Sequence, residues 1–157
     1  MSTFVLHLRS GRPFLTFPAR VNAAGARLTA GLVVVTVALA GLTHVGWPVA
    51  LLAADFALRA VLGPRQSPLG RLAGGLVQRL ALARTTTSGA PKQMAATAGA
   101  LMLTAAALAF AAGAVTAGWV LTGVLAVFAS LEAALGLCVV CRVYSVFVDC
   151  PDCAGEP

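Results

Sequence analysis

Four cysteines fall between Cys138 and Cys153, in the stretch GLCVVCRVYSVFVDCPDC, as two C-x-x-C pairs. Thiolates at that spacing do two kinds of chemistry: they exchange with disulfides, or they hold a metal ion, zinc being the usual one. Cys138 and Cys141 stand three apart, so on a helix their sulfurs share a face and can meet or chelate one ion. The plain alternative is packing, since free cysteine behaves as a small apolar side chain. The pair closes a long apolar run and has Arg142 as its only adjacent cation. A place at the C-terminal end of a helix argues against a thioredoxin-like pair, which is activated by a helix N-terminus or a nearby positive charge.

Cys150 and Cys153, in CPDCAG, have the form of a zinc knuckle, with Pro151 and small residues suited to a tight turn. A tetrahedral site using Cys138, Cys141, Cys150 and Cys153 is conceivable on one condition. The chain must turn back between Arg142 and Asp149, where Val143, Tyr144, Val146, Phe147 and Val148 favour an extended strand. A helix unbroken to Val148 would instead separate Cys141 from Cys150 by on the order of 13 Å along its axis. Redox pair, metal site and packing therefore all stay open.

Three further side chains carry charge inside apolar segments. Asp55 and Arg59 stand four apart in the acid-before-base order that suits a helical ion pair, and the plain reading is a mutual lock. Glu132 has no cation on its own helix; it is expected to face Arg59 across the bundle, to be protonated, or to line an ion path. His44 and Trp47 sit at a turn where amphipathic rings settle at a membrane interface. No catalytic triad, phosphate loop, haem-attachment motif or zinc-protease helix is present, so hydrolase and nucleotide-binding functions have no support.

The elements that must position these residues follow from composition. With 59% hydrophobic and 10% charged residues over 157 positions, the chain carries more apolar surface than one soluble core of this size can hide, so its solvent is a bilayer. The basic start, broken by Pro13 and Pro18, lacks a cleavable signal pattern and is expected to be retained. The net charge of +6 has no aromatic interleaving that would suit nucleic acid.

Helix one is expected from about Ala23, capped by Asn22, to Trp47, and helix two from Pro48 to Leu62, short for a span but read as one. Ser67 as cap and Pro68 at the first helical position open an amphipathic helix with Leu69, Leu72, Leu76 and Leu80 on one face, lying on the membrane with its arginines toward headgroups. TTTSGAP reads as a flexible connector. Helix three is expected from near Lys92 to Ala112 and helix four from near Trp119 to Val139, both rich in small residues that allow close packing. The fold class is thus all-α, an integral membrane four-helix bundle with an interfacial helix between spans two and three.

Arg9, Arg12, Arg20 and Arg27 flank the first span, and Arg65, Arg71, Arg79, Arg84 and Lys92 lie between the second and third. Neither outer turn has a lysine or arginine, so both termini and the cysteines are expected on the cytoplasmic side. That side is reducing, which disfavours a permanent disulfide.

The segments RQSPLG after the second span, PKQMAATAG opening the third and EAALGLCVVCRVY ending the fourth resemble the domain-of-unknown-function 4395 family of small bacterial four-span membrane proteins, over roughly Pro18 to Phe147. The resemblance implies the same element order and a Cys138–Cys141 pair shared with relatives. It implies no established activity, and the Cys150–Cys153 pair is additional to the pattern.

The expected organisation is a four-span domain over residues 1–149 and a short cytoplasmic cysteine tail over 150–157, in a bacterial inner membrane. The leading functional reading is a cytoplasmic thiol cluster for redox exchange or metal binding, with the bilayer and a soluble thiol partner or another membrane protein as partners. Two others compete: a non-catalytic subunit of a membrane complex, and a small transporter using Glu132, Asp55 and Arg59.

Overall fold

Asn22 has extended backbone and its side chain accepts a hydrogen bond from Gly25 N at 2.9 Å, which starts the first helix where its sequence says it should. The computed structural model describes residues 17–18, 20–82 and 85–147. They form six helices and two short strands: β1 (Arg20–Asn22), α1 (Ala23–Thr43), α2 (Trp47–Leu62), α3 (Pro68–Arg79), β2 (Thr86–Ser88), α4 (Gly89–Ala111), α5 (Val115–Leu135) and α6 (Val139–Phe147). The fold is all-α apart from the strand pair. Three helices, α1, α4 and α5, are long and apolar enough to cross a membrane.

Those three helices bury only 17–28% of their apolar windows inside the protein. Leu39, Leu42, Leu101, Leu108, Val120 and Val127 all point outward. A surface that apolar requires lipid rather than water. The interior cluster is small, built from Val33, Val37, Val49, Leu52, Leu103 and Leu125 with Phe56, Met102 and Phe110 against it.

Several boundaries differ from expectation for local reasons. α1 ends at Thr43 rather than Trp47 because His44 takes the left-handed conformation and donates its N–H back to Gly41 O; Trp47 instead opens α2 with Pro48 in its first turn. α4 begins at Gly89, three residues before Lys92, since Pro91 fits a first helical turn. α5 begins at Val115, four residues before Trp119, whose ring packs edge-on against Phe110 at 5.0 Å. The connector TTTSGAP is not a free linker: Thr86–Ser88 pairs antiparallel with Arg20–Asn22, Val21 opposite Thr87.

The largest difference lies at the end of α5. Gly136, at φ +70°, ends that helix at Leu135 in a conformation that only glycine adopts cheaply, and the chain restarts as α6. The span therefore stops four residues before Val139. The residues expected as a strand, Val143 to Phe147, are helical, because α6 gains tertiary contact with α4 that overrides β propensity.

The order strand, long helix, hairpin turn, helix, short helix occurs twice: β1-α1-α2-α3 and β2-α4-α5-α6. Contacts exchange accordingly. α1 packs mainly on α5 and α3, while α4 packs mainly on α2 and α5 and also touches α6. The strand register obeys the same exchange, with Val21 opposite Thr87 at its centre. The two halves are thus related by a pseudo-twofold arrangement in which α1 and α4 start at the same end.

Candidate functional site

The two halves place a different polar group at the equivalent spot, the cap of the third helix. In the first half that cap is Ser67, fully buried, whose Oγ accepts from Gly70 N at 2.9 Å. Asp55 completes the site: its Oδ2 accepts from Arg59 Nη2 at 2.8 Å and from Ser67 Oγ at 3.1 Å, and its Oδ1 accepts from Leu69 N at 3.0 Å. A carboxylate at the start of α3 suits the helix dipole, and Gly70 leaves no room for a side chain because Pro64 O would lie 1.9 Å from a Cβ. Arg59 also stacks over the Phe56 ring at 5.0 Å. The sequence-expected Asp55–Arg59 pair is present, and it locks α2 to α3.

In the second half the cap is Cys138. Its Sγ accepts from Cys141 N at 3.3 Å and its carbonyl from Arg142 N at 3.0 Å, the geometry of a helix N-cap with sulfur in place of the hydroxyl. Cys138 and Cys141 are joined by a disulfide with their Cα atoms 5.1 Å apart. Cys138 is partly exposed, whereas Cys141 is 8% exposed. The pair therefore sits at the N-terminus of α6, not at the C-terminus of the preceding helix. The break at Gly136 reverses the expected electrostatics: the amide ends of α6 now point at the Cys138 sulfur.

Glu132 is paired, but not with Arg59. Its carboxylate meets Lys92 Nζ, forty residues away on α4, and both side chains are largely shielded from solvent. Nothing in a single sequence couples two residues so far apart. Arg27, from the first turns of α1, donates to Ala134 O at 3.0 Å and so caps the end of α5 beside the Gly136 break. His44 and Trp47 lie exposed at the α1–α2 turn, as expected.

Two clefts meet at these groups. The first, about 570 Å³, runs between the two halves; Val33, Phe56, Met102 and Phe128 form apolar walls, and Arg59, Lys92 and Glu132 a polar end. The second, about 800 Å³, opens beside α1, α5 and α6, with Arg27, Cys141 and Arg142 on its wall. Cys138 and Lys92 line both clefts, and no other described residue does.

Among the described residues, no three histidine, cysteine, aspartate or glutamate side chains converge on one point that would hold a metal. Cys150 and Cys153, the other half of the conceivable four-thiolate site, lie outside the described residues. The described chain does not make the extended reversal after Cys141 that a shared four-thiolate site requires, being helical through Phe147.

A family model described as Domain of unknown function (DUF4395) matches residues 21–149. The chain belongs to that family. The match takes in both halves and the Cys138–Cys141 pair and ends just before Cys150, so the tail pair lies outside it. No curated protein and no solved structure matches the chain.

Proposed function

We propose that this DUF4395 member is a four-span inner-membrane protein whose Cys138–Cys141 pair cycles between dithiol and disulfide by exchange with a thiol partner on the cytoplasmic side. The observation that carries this reading is Cys138 at the cap of α6, with the Cys141 amide on its sulfur. In the reduced protein that amide and the helix dipole favour the thiolate, the form that attacks a disulfide. The partly exposed Cys138 is the attacking sulfur, and the buried Cys141 resolves the mixed disulfide. The second cleft, which reaches both sulfurs, gives the partner its approach.

The membrane placement rests on three apolar spans plus α2, whose 16 residues extend about 24 Å and return the chain toward the start of α1. Arg20, Arg27, Arg65, Arg71, Arg79 and Lys92 gather at that end, which the positive-inside rule assigns to the cytoplasm. In this arrangement α3 lies along the interface: Ala73 and Val77 face α1, while Leu72 and Leu80 face outward at 53% and 60% exposure, toward lipid. A transient disulfide, rather than a permanent one, suits a reducing compartment.

The test is exchange in detergent or nanodiscs between the reduced protein and a fluorescent disulfide substrate. Wild-type protein should turn it over, Cys138→Ser should not, and Cys141→Ser should trap a mixed disulfide through Cys138. Equal activity of wild type and Cys138→Ser would dismiss the reading. A reporter fused after Pro157 should read cytoplasmic and one inserted at Gly113 periplasmic.

A further inference from the structure

We infer that the first cleft binds a lipid-soluble quinone, and that this quinone takes the electrons the cysteine pair has gathered. The inference rests on the exchange reading above and names its second reactant. Cys138 is shared by two clefts of different chemistry. One opens beside charged Arg27 and Arg142, where a protein thiol can approach. The other penetrates between the halves and is walled by Val33, Phe56, Met102 and Phe128, which exclude a soluble partner but admit a flat, apolar ring.

The polar end of that cleft is built for an acceptor oxygen. Arg59 lines it and has a buried Nε–H with no hydrogen-bond partner among the described residues, although the other end of its guanidinium is engaged by Asp55 and Ser67. A buried donor left empty keeps its full desolvation penalty, so a carbonyl oxygen arriving there gains what the folded chain lacks. Lys92 is a second donor at the same end, and its partner Glu132 offers a carboxylate through which protons can move. A non-redox lipid would use the apolar walls but would have no reason to lie against a cysteine pair.

The stoichiometry fits without a further reactant. Cys138 and Cys141 lose two S–H protons and two electrons as one S–S bond forms. The quinone gains both electrons and two protons, its two C=O groups becoming C–OH, and leaves as the hydroquinone. Lys92 borders both clefts, as Cys138 does, and so stands at the polar end where protons are released and taken up.

The test uses reduced full-length protein and decylubiquinone, whose fully substituted ring resists direct thiol addition. One hydroquinone should appear per two thiols lost. Ala129→Phe on α5 and Ala95→Phe on α4 each push a ring into the first cleft from opposite walls and should slow quinone reduction roughly tenfold or more. Exchange with a soluble dithiol should persist in both. Quinone reduction unaffected by both substitutions would overturn the inference, as would wild-type protein that exchanges with dithiol yet reduces no quinone. Loss of dithiol exchange in the wild type would instead sink the exchange reading itself. Photolabelling of wild-type protein with an azido-quinone decides the location independently of any variant: adducts on Met102 or Phe128 support the cleft, and adducts confined to the outward faces of the spans refute it.

Discussion

Ser67 and Cys138 occupy the same place in the two halves of the molecule, each capping a third helix and each accepting the amide three residues on. Their surroundings differ. Around Ser67 the carboxylate, the hydroxyl and the helix amides are matched: Asp55 receives three hydrogen bonds, Ser67 donates as well as accepts, and Gly70 gives the chain a contact that no other residue would permit. Around Cys138 the cap is a sulfur, its neighbour at the third position is another cysteine, and clefts open on two sides. On the proposed exchange reading, one architecture thus serves as a rivet in the first half and as a reaction centre in the second. The difference lies in the side chains at and around the cap and in the space beside them.

The largest effect is expected where the rivet is broken. Asp55→Ala leaves the Arg59 cation, the Ser67 hydroxyl and the Leu69 amide without their acceptor, and should destabilise the protein by about 3–5 kcal/mol. Thermal unfolding in detergent measures it. Arg59→Ala should cost less than Asp55→Ala, because the carboxylate keeps Ser67 and Leu69 N, and the double substitution should recover part of the Asp55→Ala loss. If all three variants melt alike, the site is not a lock.

Gly136→Ala tests whether the break that creates the second cap matters. A side chain at φ +70° should cost about 1–2 kcal/mol and displace α6, so exchange should fall more than stability does. Normal exchange in this variant would show that the α6 N-terminus does not activate the sulfur.

The smallest structural effect and the sharpest functional one should come from Cys138→Ser with Cys141→Gly, which turns the second cap into a copy of the first. The hydroxyl keeps the cap bond, and a disulfide spanning three residues restrains the unfolded chain little, so stability should change by about 1 kcal/mol or less. Exchange should vanish. A large loss of stability would mean that the disulfide holds the fold, and the contrast between rivet and reaction centre would fail.

The sequence was most readable where a boundary depends on adjacent residues. Asn22, Ser67 and Pro68 identify their helix starts by local chemistry, and the Asp55–Arg59 spacing identifies its own pair. It was least readable where the decisive contact is distant. Lys92–Glu132 joins two helices, and the strand at Thr86–Ser88 exists only because Arg20–Asn22 lies beside it. The repeat of the two halves is carried by element order and contacts, while the residues at equivalent places have diverged. Gly136 was visible, yet within the apolar run LGLCVV a single glycine does not distinguish a helix that continues from one that ends. The polarity of the cysteine site turned on that one residue.

The two-stranded clasp has a consequence for how the protein is made. Sixty-four positions separate Asn22 from its partner Thr86, so at ordinary translation rates the first strand waits about 3–13 s for the second to emerge. During that interval α1, α2 and α3 must hold together in the bilayer without α4 or α5 beside them. Every residue of the Asp55–Arg59–Ser67–Leu69 network belongs to that early half. The ribosome therefore delivers the rivet first, and the cysteine-bearing half is assembled onto a scaffold that is already fastened.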